Sequence, residues 1–170
     1  DLLEAFLEAN FSEEAGNPAL AFVGDGELHK PLMRSAGKRV DIDVFFIPFQ
    51  NQSEMPRVYA AGDLLVLPSF GNGETWGLVV NEAMNLGKPV IVSSHVGCGK
   101  DLVIQKDTGW IFDAGNVRSL RECLEEAMNQ PEKLKEMGNH SKQHIEGFSY
   151  EVAAEQLLRA LKKVGAASKI

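Results

Sequence analysis

The chain has 170 residues, a length suited to one domain, and 44% of them are hydrophobic, an ordinary share for a globular protein. Lys and Arg number 17 against 24 Asp and Glu, and the net charge of −7 leaves no basic stripe to follow a nucleic-acid backbone, which excludes that class of partner. A small phosphorylated ligand stays open, because backbone amides and helix ends can hold one without net positive charge.

In chain order, Leu2, Leu3, Phe6 and Leu7 fall on one face and predict an amphipathic helix, without the basic head of a signal peptide. A turn at Asn17 and Pro18 leads into ALAFVG, read as a buried strand ending at Gly24. Asp25 and Gly26 break it, and a short helix is expected as far as residue 36. VFFIPF over 44–49 predicts a second strand. Ser53 is placed to cap a helix running to residue 61. DLLVLP over 63–68 is the third strand, followed by a helix over 77–86 closed by Gly87. Strands over 89–93 and 109–112 complete the set. The remainder reads as helical: Val117, Leu120, Leu124, Ala127 and Met128 share a face, and Pro131 opens the next helix. Ser149 caps the last helix, whose apolar side carries Val152, Ala153, Leu157, Ala160, Leu161 and Val164. No apolar run approaches the roughly 20 residues of a membrane-spanning helix.

Short apolar strands alternating with helices predict an α/β fold: a Rossmann-like parallel sheet flanked by helices. Ligands of such sheets sit beyond the carboxyl ends of the strands. That rule selects the loops at 24–26, 48–53, 69–77 and 93–101, all expected on one edge. The chain opens in a helix where a doubly wound domain opens in a strand. The expectation is one domain over 1–170, truncated at its first strand.

The stretch GNGETWGLVVNEAMNLGKPV places Glu74 in a glycine-rich loop and Glu82 in the following helix, with seven residues between them. Gly77 stands at the helix start, where unpaired amides and the helix dipole suit an anion, or where glycine merely makes a tight turn. A carboxylate offers only acceptors and therefore fits vicinal hydroxyls such as those of a ribose or hexose. Glu82 is either that or a solvated helix residue. Its neighbours Val79, Val80, Ala83 and Met84 imply burial, and a buried carboxylate needs a partner. Glu74, among Gly71, Gly73 and Gly77, can approach a sugar closely or act as a helix-entry acid. Gly24 and Gly26 lack the third glycine of a dinucleotide fingerprint. Cys98 and Cys123 have no metal or redox spacing and read as free thiols. His140 and His144 lie four apart, but with no partner close in sequence they read as a surface face. Phe70 and Trp76 either line a pocket or, as the default for large aromatics, pack in the core.

Residues 63–101, from DLLVLPSFGNGETWG through NEAMNLGKPVIVSSHVGCGKD, resemble the group 1 (family four) retaining glycosyltransferases. The likeness extends back through FVGDGEL and on through GWIF to FSYEVAAEQLL, and so covers nearly the whole chain. These enzymes have two facing Rossmann-like domains, the GT-B arrangement, and the resemblance places this chain in the C-terminal, donor-binding half. It implies transfer of a hexosyl group from a nucleotide diphosphate sugar, with UDP favoured, to an acceptor hydroxyl with retained configuration. Glu74 would contact the donor sugar as the catalytic carboxylate. Trp76, Gly77, Leu78 and Val79 would meet sugar and diphosphate, with Gly24 and Gly26 bordering the phosphates. Glu82 would hold the ribose, and Ile47, Pro48 and Phe49 would meet the base. No metal and no cofactor is implied. The N-terminal acceptor domain of the same enzyme is the implied partner, and the cytoplasm the implied location, with any contact to a membrane's inner face made through that domain.

This sequence departs from the family at Cys98, where a second glycine is common, at Asp101, where glutamate is, and at Trp76, where phenylalanine is. The Arg and Lys that the family keeps for the diphosphate lie in an upstream loop absent from these residues, so the fragment alone is expected to be inactive. A non-catalytic flavodoxin-like regulatory or receiver module competes, since it shares the alternation. Asp25 and Asp63 do not compose the acidic cluster that a phospho-accepting receiver needs.

Overall fold

The structure is a computed structural model and describes residues 1–37, 43–71 and 73–167. Asn72 of the glycine-rich loop lies outside them. The elements run α1 (Leu2–Glu8), β1 (Ala19–Val23), α2 (His29–Ala36), β2 (Asp43–Ile47), α3 (Met55–Ala61), β3 (Leu65–Leu67) and α4 (Leu78–Asn85). After them come β4 (Val90–Ser93), α5 (Gly99–Leu102), β5 (Gly109–Phe112), α6 (Val117–Met128), α7 (Pro131–Ile145) and α8 (Tyr150–Ala167). Every strand pairing is parallel, as alternation with helices requires.

The strands form two sheets, where one was expected. β1 pairs with β2, and β4 stands between β3 and β5. The alternating pattern specifies crossovers but not which strands become neighbours, so this division was invisible in it. β1 and β3 each keep one edge without a strand partner among the described residues.

Alternation along β4 shows how the larger sheet is covered. All four of its residues are buried. Ile91 joins a cluster with Trp110 and Phe112 of β5, Leu120 and Leu124 of α6, and Leu3 and Phe6 of α1. Val90 and Val92 face the other way, onto Val80, Ala83 and Met84 of α4 and Ile145 of α7. A central parallel strand with both faces covered reads as a continuous apolar run, which is why PVIVS shows no period of two. Each large side chain buried this way contributes about 1.5–3 kcal/mol. Exposed ion pairs such as Arg118–Glu122 at 2.9 Å contribute about 0–1 kcal/mol. The apolar layers, not the charges, hold the fold.

The smaller sheet is covered on one face only. Leu20, Phe22, Val44 and Phe46 join the α1 cluster, whereas Ala19, Ala21 and Phe45 point outward and are exposed. The expectation of a buried strand over ALAFVG is corrected accordingly: only Leu20 is buried. Apolar content was mistaken for burial on both faces.

One helix end and one helix face differ from expectation. Ser53 does not cap α3; the Asn51 side chain accepts from the Ser53 amide (3.1 Å), the Ser53 hydroxyl (2.5 Å) and the Glu54 amide (3.2 Å). Asparagine makes this local turn as readily as serine caps a helix. At α8, Ser149 Oγ does accept the Val152 amide at 3.3 Å, but Leu157, Leu158 and Leu161 are exposed. A helical period shows that an apolar face exists and says nothing of what covers it. Among the described residues, no helix is long and apolar enough to cross a membrane.

Candidate functional site

The carboxyl-end loops meet in two pairs, one from each sheet. At the end of β1 and β2, the Gly24 amide donates to Ile47 O at 3.0 Å, and Gly24 has φ of 119°, open to glycine. Asp25 Oδ2 accepts the Phe49 amide at 3.1 Å, which ties the loop after β2 to the loop after β1. Pro48 is exposed beside Phe49, whose ring is 71% exposed. Gly24, Ile47, Pro48 and Phe49 therefore share a corner, with Gly26 exposed beside Asp25.

The second corner holds the E-x7-E stretch against the loop after β4. Ser93, fully buried, donates its hydroxyl to Ser69 O at 2.5 Å. His95 Nδ1 accepts the Gly71 amide at 2.9 Å, and the Cys98 amide donates to Trp76 O at 2.8 Å. Gly77 has φ of 99° and begins α4. A β-carbon there would stand 2.9 Å from Val96 Cγ1 and 3.1 Å from Leu67 Cδ2. Glycine is thus required twice over, by backbone conformation and by space. Leu78 is 70% exposed at the helix start, where the earliest amides lack partners within the helix.

The two glutamates are treated differently. Glu82 is half-buried, and its Oε2 accepts the hydroxyl of Tyr59 at 2.6 Å. Burial first, then the hydrogen bond to Glu82 and its charge, raise the Tyr59 phenol far above its usual range, so it remains a donor at any physiological pH. The partner that burial demanded of Glu82 is therefore a tyrosine from α3. Since α3 starts from the loop carrying Phe49, it links the two corners. Glu74 is half-buried and has no hydrogen-bond or ion-pair partner among the described residues. Burial pushes the Cys98 thiol up to about 11, and the Glu74 and Asp101 charges push it the same way. That places the Glu74 carboxylate within electrostatic reach of the Cys98 sulfur and keeps this thiol neutral.

Several contributors were not legible beforehand. Trp76 and Phe70 are not core residues: Trp76 is 36% exposed with its indole N–H donating to Asn81 Oδ1 at 2.8 Å, and Phe70 is 73% exposed. Phe70 lies over Gly115, where a β-carbon would stand 2.9 Å from its ring. His140 has an acidic partner after all, with Nδ1 at 2.7 Å from Asp107 Oδ1, reached through the fold and not through neighbouring sequence. That pair lies near the start of β5, at the opposite end of the strand from the candidate site. Tyr59 was detectable in principle, because a tyrosine on an apolar helix face needs a partner for its hydroxyl. Two depressions lie elsewhere, beside Glu14 and Lys133 and between α1 and Ser35. Among the described residues no cluster of His, Cys, Asp or Glu could hold a metal ion.

Replacing Tyr59 by Phe isolates its hydroxyl. Expected is a stability loss of about 1–2 kcal/mol by urea unfolding, because a partly buried carboxylate loses its donor. A stability equal to wild type would show that water replaces the phenol at no cost.

The family description "Glycosyl transferases group 1" matches residues 1–144. A D-inositol 3-phosphate glycosyltransferase of Rhodococcus erythropolis is 33% identical over 132 residues, which cover 78% of this chain and 29% of that protein. The chain thus spans less than a third of the length of the curated relatives it matches. Among solved structures, a sucrose-phosphate synthase of Thermosynechococcus elongatus superposes with a TM-score of 0.74 at 23% identity, covering 98% of this chain and 43% of that one. Anabaena HepE in complex with UDP gives 0.74 at 22% identity, covering 95% and 44%. These structures share the fold of this chain.

Proposed function

The chain belongs to the group 1 glycosyl transferases, with the α/β architecture of the GT-B enzymes, and on that premise we propose that it is the donor-binding part of a longer, retaining hexosyltransferase. The receiver reading is set aside with the family. The observation that carries the proposal is the contrast between two carboxylates on one loop and helix. Glu82 is aimed by Tyr59, and Glu74 is half-buried with no hydrogen-bond or ion-pair partner among the described residues. A carboxylate kept partly out of water without a partner is costly unless a ligand supplies the donors.

The proposed donor is a UDP-sugar; HepE is a fold neighbour solved with UDP. Phe49, Pro48 and Ile47 would lie against the base, and Glu82 would accept the ribose hydroxyls on the oxygen that Tyr59 leaves free. The first amides of α4, at Leu78 and Val79, would face the diphosphate, with Gly77 clearing the approach and Gly24 and Gly26 bordering the phosphates. Trp76 would line the sugar. In the transfer, the bond between the anomeric carbon and the diphosphate oxygen breaks, and its electron pair leaves on the nucleotide. An acceptor hydroxyl oxygen forms the new bond to the anomeric carbon, and its proton passes to the departing diphosphate oxygen. Glu74 would stabilise positive charge spreading over the sugar ring, while the helix end stabilises the departing diphosphate.

We further propose that a strand preceding α1, with the basic loop that follows it, belongs between β1 and β3, and that an acceptor domain faces this edge. The open edges of β1 and β3 and the exposed side of α8 support this. A cytoplasmic location, with any membrane contact made through the acceptor domain, goes with the same reading.

Calorimetry on the full-length enzyme tests it. UDP is expected to bind, Glu82→Gln to weaken it by roughly 10- to 100-fold through lost charge-assisted hydrogen bonds, and residues 1–170 alone to bind weakly and transfer nothing. Full-length enzyme that binds neither UDP, GDP nor ADP, or a fragment that transfers sugar robustly, would overturn the proposal.

A further inference from the structure

We infer that Asp25 is a positioning residue for nucleotide recognition: its carboxylate carries the β1–β2 pairing one step past the last strand residue and fixes Phe49 where the base is proposed to lie. The inference deepens the donor-site reading and rests on it for its consequence in binding.

In a parallel ladder, every second residue of a strand turns its amide toward the same neighbour. Val23 pairs with Ile47, and Ile47 O accepts the Gly24 amide at 3.0 Å. Phe49, two residues on, presents the next amide toward β1. Gly24, at φ of 119°, turns the chain out of the strand there. Asp25 Oδ2 meets the Phe49 amide at 3.1 Å in place of a main-chain carbonyl. Pro48 has no N–H that could make the tie instead.

The other ties of this segment stay within it. Gln50 Nε2 donates to Pro48 O at 3.0 Å, and Asn51 Oδ1 accepts the Ser53 and Glu54 amides at 3.1 and 3.2 Å. The far end runs into α3, whose Tyr59 hydroxyl reaches Glu82 at 2.6 Å. Among the described residues, Asp25 makes the one hydrogen bond from residues 48–53 to the loop after β1. Its other oxygen, Oδ1, lies 3.9 Å from Nδ1 of His29, the first residue of α2. The His29 ring stands edge-on to Phe46 of β2, with centroids 5.5 Å apart and planes at 67°. The carboxylate is thus lodged across the corner between the two loops.

The consequence falls on the Phe49 ring, which is 71% exposed. Contact between a ring and a flat base depends on their relative placement. A loop already in place loses less freedom when the base arrives. The Asp25 charge gives no attraction to a diphosphate bordered by Gly24 and Gly26, since like charges repel. Its contribution is therefore the acceptor and not the charge.

Two variants separate these properties. Asp25→Asn keeps a carbonyl acceptor and removes the charge; Asp25→Ala removes both. Asp25 and Phe49 are exposed, so no variant here empties the core. In the nucleotide-free, full-length enzyme, amide exchange at Phe49, corrected for the intrinsic rate, should be about tenfold less protected in the Ala variant and near wild type in the Asn variant. With UDP-glucose, KM should rise about tenfold in the Ala variant while kcat stays within about twofold, and Asn should restore KM. In a Phe49→Ala background, adding Asp25→Ala should change KM by no more than about twofold, because the ring that it positions is gone. Unchanged Phe49 protection in the Ala variant, equal KM in the Ala and Asn variants, a fall in kcat as large as the rise in KM, or additive losses in the double variant would overturn the inference. Failure of the donor reading shows separately, as absence of UDP-glucose binding by a wild-type enzyme whose Phe49 amide is protected.

Discussion

Replacing Glu74 by Gln in the full-length enzyme is expected to lower the transfer rate by roughly 100- to 1,000-fold while leaving the affinity for UDP within about twofold of wild type. The substitution keeps size and one carbonyl acceptor and removes only the charge. UDP lacks the hexose, so a residue that acts on the sugar should not be felt by the nucleotide alone. Structure supports the split. Glu74 forms no hydrogen bond or ion pair among the described residues, whereas Glu82 on the next helix already has Tyr59. A group that stabilises charge mainly in the transition state lowers kcat and kcat/KM together when removed. The measurement is steady-state transfer beside a UDP titration of the same preparation. If UDP affinity falls as far as the rate does, Glu74 is a nucleotide-binding group and the assigned role is wrong.

The elements were legible because their signals are local. Pro131 and Ser149 mark helix starts in the structure, and continuous apolar runs mark β2 and β4. What stayed hidden depends on neighbours distant in the chain. Phe45 looks like core by type and is exposed because one face of β1 and β2 is open. Asn51 displaced Ser53 because both can serve a turn, and only geometry chooses.

The same distinction divides the site. Glu74, Gly77 and Glu82 could be singled out because glycine, carboxylate and a helix start fall within one short stretch. Their supports could not. Tyr59 reaches Glu82 from 23 residues away, and His95 reaches Gly71 from 24. A carboxylate in a buried helix announces that it needs a donor, but not which donor arrives. Resemblance to a family carries the common residues across and is silent on pairings such as the Gly71 amide to His95 Nδ1.

Gly97→Ala should be the most damaging single methyl group in this region, and the close contact it disturbs explains why. A β-carbon on Gly97 would lie 1.9 Å from Thr75 O and 2.7 Å from Thr75 C. Both are backbone atoms, so no side chain can rotate away. Either the loop after β4 or the Glu74 loop must move, and Cys98, next in sequence, holds Trp76 O from the same side. Moving the pair strains that bond and displaces Gly77, itself wedged against Val96 and Leu67. Overpacking of this kind costs about 1–3 kcal/mol, and a broken backbone hydrogen bond adds about 1 kcal/mol. Urea unfolding should therefore register a loss of about 2–4 kcal/mol, and UDP-sugar affinity should fall by at least tenfold because Glu74 and the α4 amides shift together. Gly73→Ala is the control, since a β-carbon there meets nothing within 4 Å. It should change stability little. Equal effects from the two would mean that loop entropy, and not the approach of Gly97 to Thr75, governs this edge. A stable Gly97→Ala protein with normal donor affinity would show that the two loops slide apart freely, and Glu74 would then owe its position to the ligand.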